Sequence, residues 1–368
     1  MMDTLKRMDA VLLLCLACLA ALGLTTLYAA VHQGGLHLWH RQIIYWLTGM
    51  AGFLAVCFTP LRAAGLLAWP AYALALLALA LVPLVGQVQM GARRWLDLGA
   101  FHVQPSELMK WALMLALAHW FASRDAASWK NAAVAVAMIA MPAGLIIIQP
   151  DLGTTLVLAA AGAVMLVAAG LPWRWAAGGL GLMLAALPFV WQHMHAYQKQ
   201  RVLTFLNPQS DPLGAGYHVI QSMIAIGSGG IFGKGFLHGT QARLHFLPEQ
   251  HTDFIFAVLA EEGGFLAASV LLLLYVVMIA RILAIARRAA TRFGSLICIG
   301  VATIFTLYAA INIGMVTGVL PVVGVPLPFV SYGGSALLTM LLALGLVMRV
   351  AIESKGRVYW QRPGSPLA

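Results

Sequence analysis

Charged residues are scarce in this sequence. Asp, Glu, Lys and Arg make up 9% of its 368 residues, whereas 62% of the residues are hydrophobic. Soluble domains carry far more charge on their surfaces, so this composition excludes the soluble globular classes. The sequence consists instead of a series of apolar runs of about 20 residues, the length that crosses a bilayer as a helix.

Cysteine is also scarce, and the familiar metal-binding patterns are missing. All the cysteines lie inside apolar runs: Cys15, Cys18, Cys57 and Cys298. Such positions exclude a disulfide framework and a cysteine-based metal site. The histidines form no H-E-x-x-H pattern, and the sequence therefore predicts no dedicated zinc site.

The apolar runs predict about ten transmembrane helices. The first follows Lys6 and Arg7 and resembles a signal peptide, but no small-residue cleavage site ends it, so we interpret it as a membrane helix. The predicted spans are 10–31, 41–59, 63–85, 106–122, 131–148, 152–169, 174–191, 253–280, 295–318 and 332–351. The fold class is an all-α polytopic membrane protein, with residues 1–368 forming a single integral domain.

The distribution of charge predicts the topology. If both termini are cytoplasmic, the whole formal net charge of +10 falls on the cytoplasmic side, as the positive-inside rule requires. The basic character therefore reflects membrane topology and does not indicate nucleic acid. The two long polar segments, 86–105 and 192–252, then face outward. The second is a large extracytoplasmic loop between helices seven and eight, too long for a simple connector.

Two cations in these outer segments are candidates for binding an anion. Arg94 and Trp95 in the segment 91–110 suit a membrane interface, but arginine also binds phosphate or carboxylate in forked geometry. The glycine-rich run IGSGGIFGKG (226–235) departs from the Walker pattern at Ser228 and Gly235. A turn in which Lys234 contacts an anion remains open.

Glu107 and Lys110 lie one helical turn apart at the start of an apolar run. An ion pair inside a membrane is costly and is therefore a functional hypothesis, here a contribution to substrate binding. The alternative is a structural pair that locks two helices together. Asp151, in QPDLGT, is expected to cap the helix that follows it.

Asp253 is the candidate catalytic residue. It ends the polar cluster Glu249–Asp253, directly before the apolar run of the eighth predicted helix. Asp253 as a helix cap or a surface residue is the plain alternative. A carboxylate at the edge of an outward-facing cavity can also act as a general base. The loop 319–336, with Pro326, Pro328 and a Gly-Gly pair, is expected to wall the same cavity.

Four motifs resemble those of the SEDS family (shape, elongation, division and sporulation). They are QPSELMK, QPDLGT, FLPEQHTDFIF and PLPFVSYGGS, in the family's order and over nearly the whole chain. The segments AIGSGG with GKG, HGTQ and GVPLP are similar to the RodA-like, elongation branch rather than the division branch. The resemblance assigns the catalytic aspartate to Asp253 and the charged pair to Glu107 and Lys110.

The resemblance implies an inverting peptidoglycan glycosyltransferase. Its substrate would be lipid II, polymerised at the outer face of the bacterial cytoplasmic (inner) membrane with release of undecaprenyl pyrophosphate, for cell elongation. The implied protein partners are a class B penicillin-binding protein and other proteins of the elongation complex. No dedicated cofactor is expected, although Mg²⁺ or Mn²⁺ can accompany the pyrophosphate. Candidate contacts to the leaving group are Lys110, Arg94 and Arg201. Lys234 and Trp95 are further candidates for binding the substrate.

Two other functions are compatible with this composition. A transporter that flips lipid II would also have about ten spans with intramembrane charges, but the sequence has no inverted repeat and no paired broken helices. A non-catalytic scaffold that activates a penicillin-binding protein needs a surface and has little use for the Glu107–Lys110 pair. An enzyme is therefore favoured.

Overall fold

The apolar runs form long helices in the computed structural model, which describes residues 6–89, 92–97, 102–193, 199, 203–205, 207, 215–244, 246–247 and 249–360. The helices are α1 (Ala10–Val31), α2 (Leu36–Phe58), α3 (Leu61–Val85), α4 (Pro105–Ala122), α5 (Trp129–Ile148), α6 (Leu152–Ala168), α7 (Trp173–His193), α8 (Ala215–Gly229), α9 (Thr240–Arg243), α10 (Ile255–Arg287), α11 (Arg292–Val316) and α12 (Gly334–Trp360).

Local sequence explains where several of these helices begin. Asp9 caps α1 by accepting from Leu12 N at 3.1 Å, and Thr291 caps α11 by accepting from Gly294 N at the same distance. Pro105 is the first residue of α4, where its missing N–H costs nothing. The predicted spans begin near these positions, at residues 10, 106 and 295.

The ten predicted spans coincide with ten of these helices, with shifted ends. α2 begins at Leu36, five residues earlier than predicted, because its polar first turn resembles a loop in the sequence. α10 continues to Arg287, seven residues beyond the predicted end. Among the described residues, seven helices are long and apolar enough to cross a membrane: α1, α2, α3, α5, α10, α11 and α12. The total of ten spans stays a prediction.

The polar segment between α3 and α4 forms a small sheet that the all-α prediction missed. Its antiparallel strands are β1 (Gln87–Gln89), β2 (Ala92–Asp97) and β3 (His102–Val103), in the order β1-β2-β3. Gln87 pairs with Trp95 and Leu96 pairs with Val103. We call this end of the bundle the outer end, following the charge-based topology.

In the described part of the segment predicted as a loop at 192–252, the chain forms the helices α8 and α9. α8 runs along α10, and the single turn of α9 also contacts α10. Ser222 in α8 donates to Val316 O at the end of α11, at 2.8 Å. The segment is therefore partly built into the bundle, and its length alone did not indicate this.

Helix α10 is broken near its outer end. Gly264 has φ 66° and ψ −165°, outside the helical region. Residues 229–235, which belong to the glycine-rich run 226–235, fill the break and form hydrogen bonds with the backbone groups on both sides of it. Its bonds are Lys234 N to Glu261 O (3.0 Å), Gly235 N to Glu262 O (3.0 Å), Phe265 N to Gly230 O (2.9 Å) and Leu266 N to Ile231 O (3.1 Å). Irregular backbone at membrane depth is tolerated when it is satisfied in this way.

Replacing Gly264 by Ala is expected to destabilise the protein. The backbone conformation of Gly264 is essentially restricted to glycine, so alanine costs about 1–3 kcal/mol in strain alone. A methyl group there would also contact Gly233 N and Ile231 O. The thermal unfolding midpoint in detergent measures the effect. Gly227→Ala is the matched control, since a methyl group at Gly227 meets nothing within 4 Å; equal midpoints for the two variants would contradict the strained break.

Ion pairs tie the helices together at the inner end. Arg281 of α10 contacts Asp9 before α1 at 2.7 Å, and Arg349 of α12 contacts Glu353 at 2.9 Å. Glu353 also accepts from Leu61 N at the start of α3. These contacts fix the inner ends of the helices relative to one another and thereby stabilise the bundle that carries the outer end.

Candidate active site at the outer end of the bundle

Asp253 lies in a turn, residues 249–254, that leads into α10. The helix begins at Ile255 and its N-cap residue is Phe254, which makes no side-chain capping bond. Asp253 therefore precedes the helix, and does not lie in its first turn as the predicted span 253–280 placed it. Its side chain is half-buried.

The turn is held by its backbone. Three consecutive carbonyl groups accept hydrogen bonds: that of His251 from Tyr332 N at 2.9 Å, that of Thr252 from Ser331 Oγ at 2.7 Å, and that of Asp253 from Asn312 Nδ2 at 3.0 Å. The donors belong to α11 and to the loop between α11 and α12. We call these three bonds the carbonyl clamp.

The loop after α11 also lies against the carboxylate of Asp253. Gly324 has φ +70°, and a methyl group on it would lie 3.3 Å from Asp253 Oδ2. The same loop approaches α6, where a methyl group on Gly153 would lie 2.6 Å from Val323 O. The loop thus lies close to both Asp253 and α6, and its predicted part in walling a cavity stays a prediction.

Glu107 and Lys110 form a buried ion pair in α4. Lys110 Nζ lies 2.5 Å from Glu107 Oε1, and both side chains are at least 95% buried. Tyr308 of α11 donates from its hydroxyl to both carboxylate oxygens, at 3.1 and 3.3 Å. Its ring centroid lies 4.4 Å from Lys110 Nζ. The pair therefore joins α4 to α11, the arrangement expected of a structural lock.

The buried pair and the turn of Asp253 are linked through α11. Tyr308 and Asn312 are four residues apart, on one face of the helix and about 6 Å along its axis. Tyr308 contacts the ion pair, whereas Asn312 contacts the turn. Helix α11 therefore contacts both the ion pair of α4 and the turn that contains Asp253.

Arg94 binds the end of α5. It donates to Gln149 O at 3.2 Å and to Pro150 O, while Trp95 beside it is half-buried. Asp151 caps α6, as predicted, by accepting from Thr154 N and Thr154 Oγ1 at 3.1 and 2.9 Å. Arg94 therefore positions the QPDLGT segment, and its predicted contact with substrate stays a prediction.

Lys234 contacts an anion that belongs to the protein itself. Its Nζ lies 2.6 Å from Glu261 Oε1, and this carboxylate also accepts from the backbone N–H groups of Thr240 and Gln241. Charge-assisted bonds of this kind are strong, so the carboxylate ties α9 and the glycine-rich run to α10. The fourth candidate cation, Arg201, lies outside the described residues.

The family model for cell cycle proteins of the FtsW, RodA and SpoVE type matches residues 5–356 of this chain. The chain belongs to this family. The resemblance seen in the four motifs is thereby confirmed, and the match begins before α1 and ends within α12.

Relatives and solved structures agree with the family. Peptidoglycan glycosyltransferase MrdB of Escherichia coli K12 is 51% identical over 287 residues, covering 77% of each chain. Stage V sporulation protein E of Bacillus subtilis is 40% identical over 291 residues, covering 76% of this chain and 77% of the relative. RodA of Thermus thermophilus superposes with a TM-score of 0.72 at 32% identity, covering 94% of this chain and 96% of that one.

A second solved structure concerns the coordination of polymerization and crosslinking by a peptidoglycan synthase complex. One of its chains superposes on this one with a TM-score of 0.83 at 35% identity, covering 94% of this chain and 98% of that one. The fold of this FtsW/RodA/SpoVE protein is therefore that of a mostly helical, multi-pass membrane protein.

Three side chains of the site in this FtsW/RodA/SpoVE protein were missed by the sequence analysis. They are Tyr308, Asn312 and Ser331. Asn312 carried a usable signal, because an amide in the middle of an apolar run is costly unless it has a specific partner. Ser331 lies in the motif PLPFVSYGGS, but the motif gave this side chain no role. Tyr308 carried no signal, because tyrosine is common in membrane helices without a special role.

His251 is expected to make the stability of this family member sensitive to acid. Burial lowers the pKa of the His251 imidazole below its usual value of 6.5, and the nearby carboxylate of Glu249 offsets only part of the shift. The unfolded chain then binds a proton more readily than the folded one. Stability is therefore complete above pH 6.5 and is lost as the pH falls below that value.

Replacing His251 by Gln, which does not titrate, should reduce this loss. The thermal unfolding midpoint is measured at about pH 7.5 and about pH 5.5 for wild type and variant, a range in which histidine is the main titrating side chain. We expect the midpoint to fall less between the two pH values in the variant than in the wild type. An equal drop in both would show that His251 does not cause the acid sensitivity.

Proposed function

We infer that this protein is a peptidoglycan glycosyltransferase that polymerises lipid II into β-1,4-linked glycan. Its E. coli relative MrdB carries the name peptidoglycan glycosyltransferase at 51% identity. Within this chain, the inference rests on the half-buried Asp253 at the outer end of the bundle. Asp253 lies in the turn 249–254, whose backbone is held by Asn312, and its carboxylate lies beside the loop at Gly324.

The proposed role of Asp253 is that of general base. The acceptor sugar attacks through its 4-hydroxyl group, a poor nucleophile near neutral pH. A carboxylate within hydrogen-bond reach accepts the proton as the new glycosidic bond forms. The bond to the pyrophosphate breaks on the opposite side of the anomeric carbon, so the configuration inverts. Pyrophosphate already leaves readily, and no protein acid is required.

Cations are needed where negative charge develops on the pyrophosphate. Lys110, Arg94 and Lys234 remain our candidates together with Arg201, but the first three already bind groups of the protein. They would have to exchange these partners to reach the substrate.

Arg41 is a further candidate cation. It is exposed and hydrogen-bonds the side chain of Tyr332, whose ring lies 5.8 Å from that of His251.

A divalent cation is proposed to arrive with the pyrophosphate. Among the described residues, no three His, Cys, Asp or Glu side chains gather as a resident metal site. The oxygens of the pyrophosphate suit Mg²⁺ or Mn²⁺, which bind phosphates with few protein ligands. Removal of divalent ions with a chelator is expected to slow polymerisation, and addition of Mg²⁺ or Mn²⁺ to restore it. A rate that is insensitive to the chelator would exclude this role.

The setting proposed for the reaction is the outer face of the bacterial inner membrane. A class B penicillin-binding protein is the proposed partner, since it would cross-link the new strands. A structural neighbour belongs to a complex that couples polymerization to crosslinking. The excess of basic residues at the predicted inner side favours the same orientation.

Polymerisation of labelled lipid II by the purified protein, with its class B partner and with moenomycin present, tests the proposal. Moenomycin inhibits the unrelated soluble-domain glycosyltransferases, so a contaminant would not contribute. Formation of long glycan supports the glycosyltransferase. If no glycan forms and lipid II instead crosses the membranes of proteoliposomes that contain the protein, the transporter is favoured. The break in α10 lies near the outer end, whereas a transporter site is expected near the midplane.

A further inference from the structure

We propose that Asn312 and Ser331 are positioning residues for Asp253, which set the direction of its carboxylate by holding the carbonyl groups of the turn. This proposal rests on the proposed role of Asp253 as the base. Neither residue has to touch the substrate. Both act through the carbonyl clamp, and their effect is on the placement of Asp253.

The position of Asp253 needs such support because the turn has no regular secondary structure. Residues 249–254 precede α10, and a turn outside regular secondary structure is free to move unless other elements hold it. The carbonyl clamp supplies three bonds to successive residues. Catalysis is sensitive to small errors in placement, and a displacement of about 1 Å can cost about 10²-fold in rate.

The two side-chain donors are themselves held in place. Asn312 is fully buried, and its Nδ2 also donates to Val325 O at 2.7 Å. Ser331 Oγ accepts from Leu327 N at 2.8 Å while it donates to Thr252 O. Each donor therefore has a second bond that fixes its rotamer, which is the arrangement needed to hold a catalytic group precisely.

Asn312 also sets the space beside the carboxylate. One Nδ2 atom binds both Asp253 O and Val325 O, so it fixes the turn relative to the loop at Gly324. Gly324 lies beside Asp253 Oδ2. Loss of this single amide would let the turn of Asp253 and the loop at Gly324 move apart.

A second serine of the chain offers a matched control. Ser354 in α12 is buried, accepts from Ala290 N at 3.3 Å and donates to Val350 O at 2.7 Å. Ser331 has the same combination of one accepted and one donated backbone bond. Ser354 lies at the inner end, away from Asp253. Ser331→Ala and Ser354→Ala thus remove comparable bonds, and only the first should affect the base.

The experiment compares Ser331→Ala, Asn312→Ala and Ser354→Ala in the lipid II polymerisation assay with the class B partner. For the first two we expect kcat to fall about tenfold to a hundredfold, with KM for lipid II unchanged within about twofold. Ser354→Ala should keep the wild-type kcat. Its thermal unfolding midpoint should change by about as much as that of Ser331→Ala. In an Asp253→Asn background, Ser331→Ala should lower the residual rate no further, because it acts through Asp253.

The outcomes separate this proposal from the assignment of the base. Full activity of Asp253→Asn would overturn the role of Asp253 itself. If Asp253→Asn is inactive but Ser331→Ala behaves like Ser354→Ala, the base stands and the positioning role is wrong. A further loss of rate in the double variant would also reject it. Should Asn312→Ala not fold, the comparison of the two serines still decides.

Discussion

Replacing Asp253 by Asn is expected to lower the rate of glycan polymerisation by about 10²–10⁴-fold, the usual contribution of a general base. Asparagine has nearly the same size, and the backbone carbonyl of residue 253 can still accept from Asn312. The fold should therefore survive. What is lost is the group that accepts the proton of the acceptor hydroxyl. The initial rate of lipid II polymerisation measures the effect directly.

Glu249→Gln is the control for this prediction. Glu249 lies in the same turn and its Oε2 accepts from Thr252 Oγ1 at 3.0 Å, a bond that an amide oxygen can also accept. The control removes a negative charge close to Asp253 without removing the proposed base. We expect it to retain most of the activity. Equal losses in the two variants would assign the effect to the charge of the turn, not to Asp253.

Replacing Lys110 by Met is expected to destabilise the protein by about 3–5 kcal/mol, because it leaves the carboxylate of Glu107 buried without its cation. Both members of the pair are almost completely buried, so water cannot compensate. Tyr308 would still donate to the carboxylate, but a hydroxyl group does not neutralise a charge. The yield of folded protein and its thermal midpoint in detergent are the measurements.

The double variant Glu107→Gln, Lys110→Met decides between the two interpretations of the pair. With both charges removed, stability is expected to recover largely, since a neutral replacement of a buried ion pair is often tolerated. Recovery of both stability and polymerisation would make the pair a structural lock. Recovery of stability with polymerisation still lost would support a role in handling substrate. A double variant as unstable as Lys110→Met would contradict the account of an unpaired charge.

Much of the architecture was predictable because it depends on local sequence. Ten helices lie where apolar runs of sufficient length predicted them, and Asp151 caps α6 as its position after Pro150 indicated. The small sheet at 87–103 was missed, because its strands are short and have no clear alternation of apolar residues. The break in α10 was missed too, since Gly264 gives no sign in the sequence of the loop that fills the gap.

The site was predictable only in part. Asp253, Glu107 and Lys110 were selected because carboxylates and amines are costly beside apolar runs, and a costly residue needs a reason. Their partners were not predictable. Tyr308 lies 201 residues from Glu107 along the chain, and Ser331 lies 79 residues from Thr252.

The sequence by itself determined that this protein is a bundle of membrane helices, and its motifs indicated the family. Hydropathy and capping act within one helix, so they can be recognised along a single stretch of chain. Only the tertiary structure decided which side chains meet: Lys234 with Glu261, and Asn312 with the carbonyl of Asp253. These contacts arise from the packing of helices distant in sequence, and no local pattern records which residue will face which.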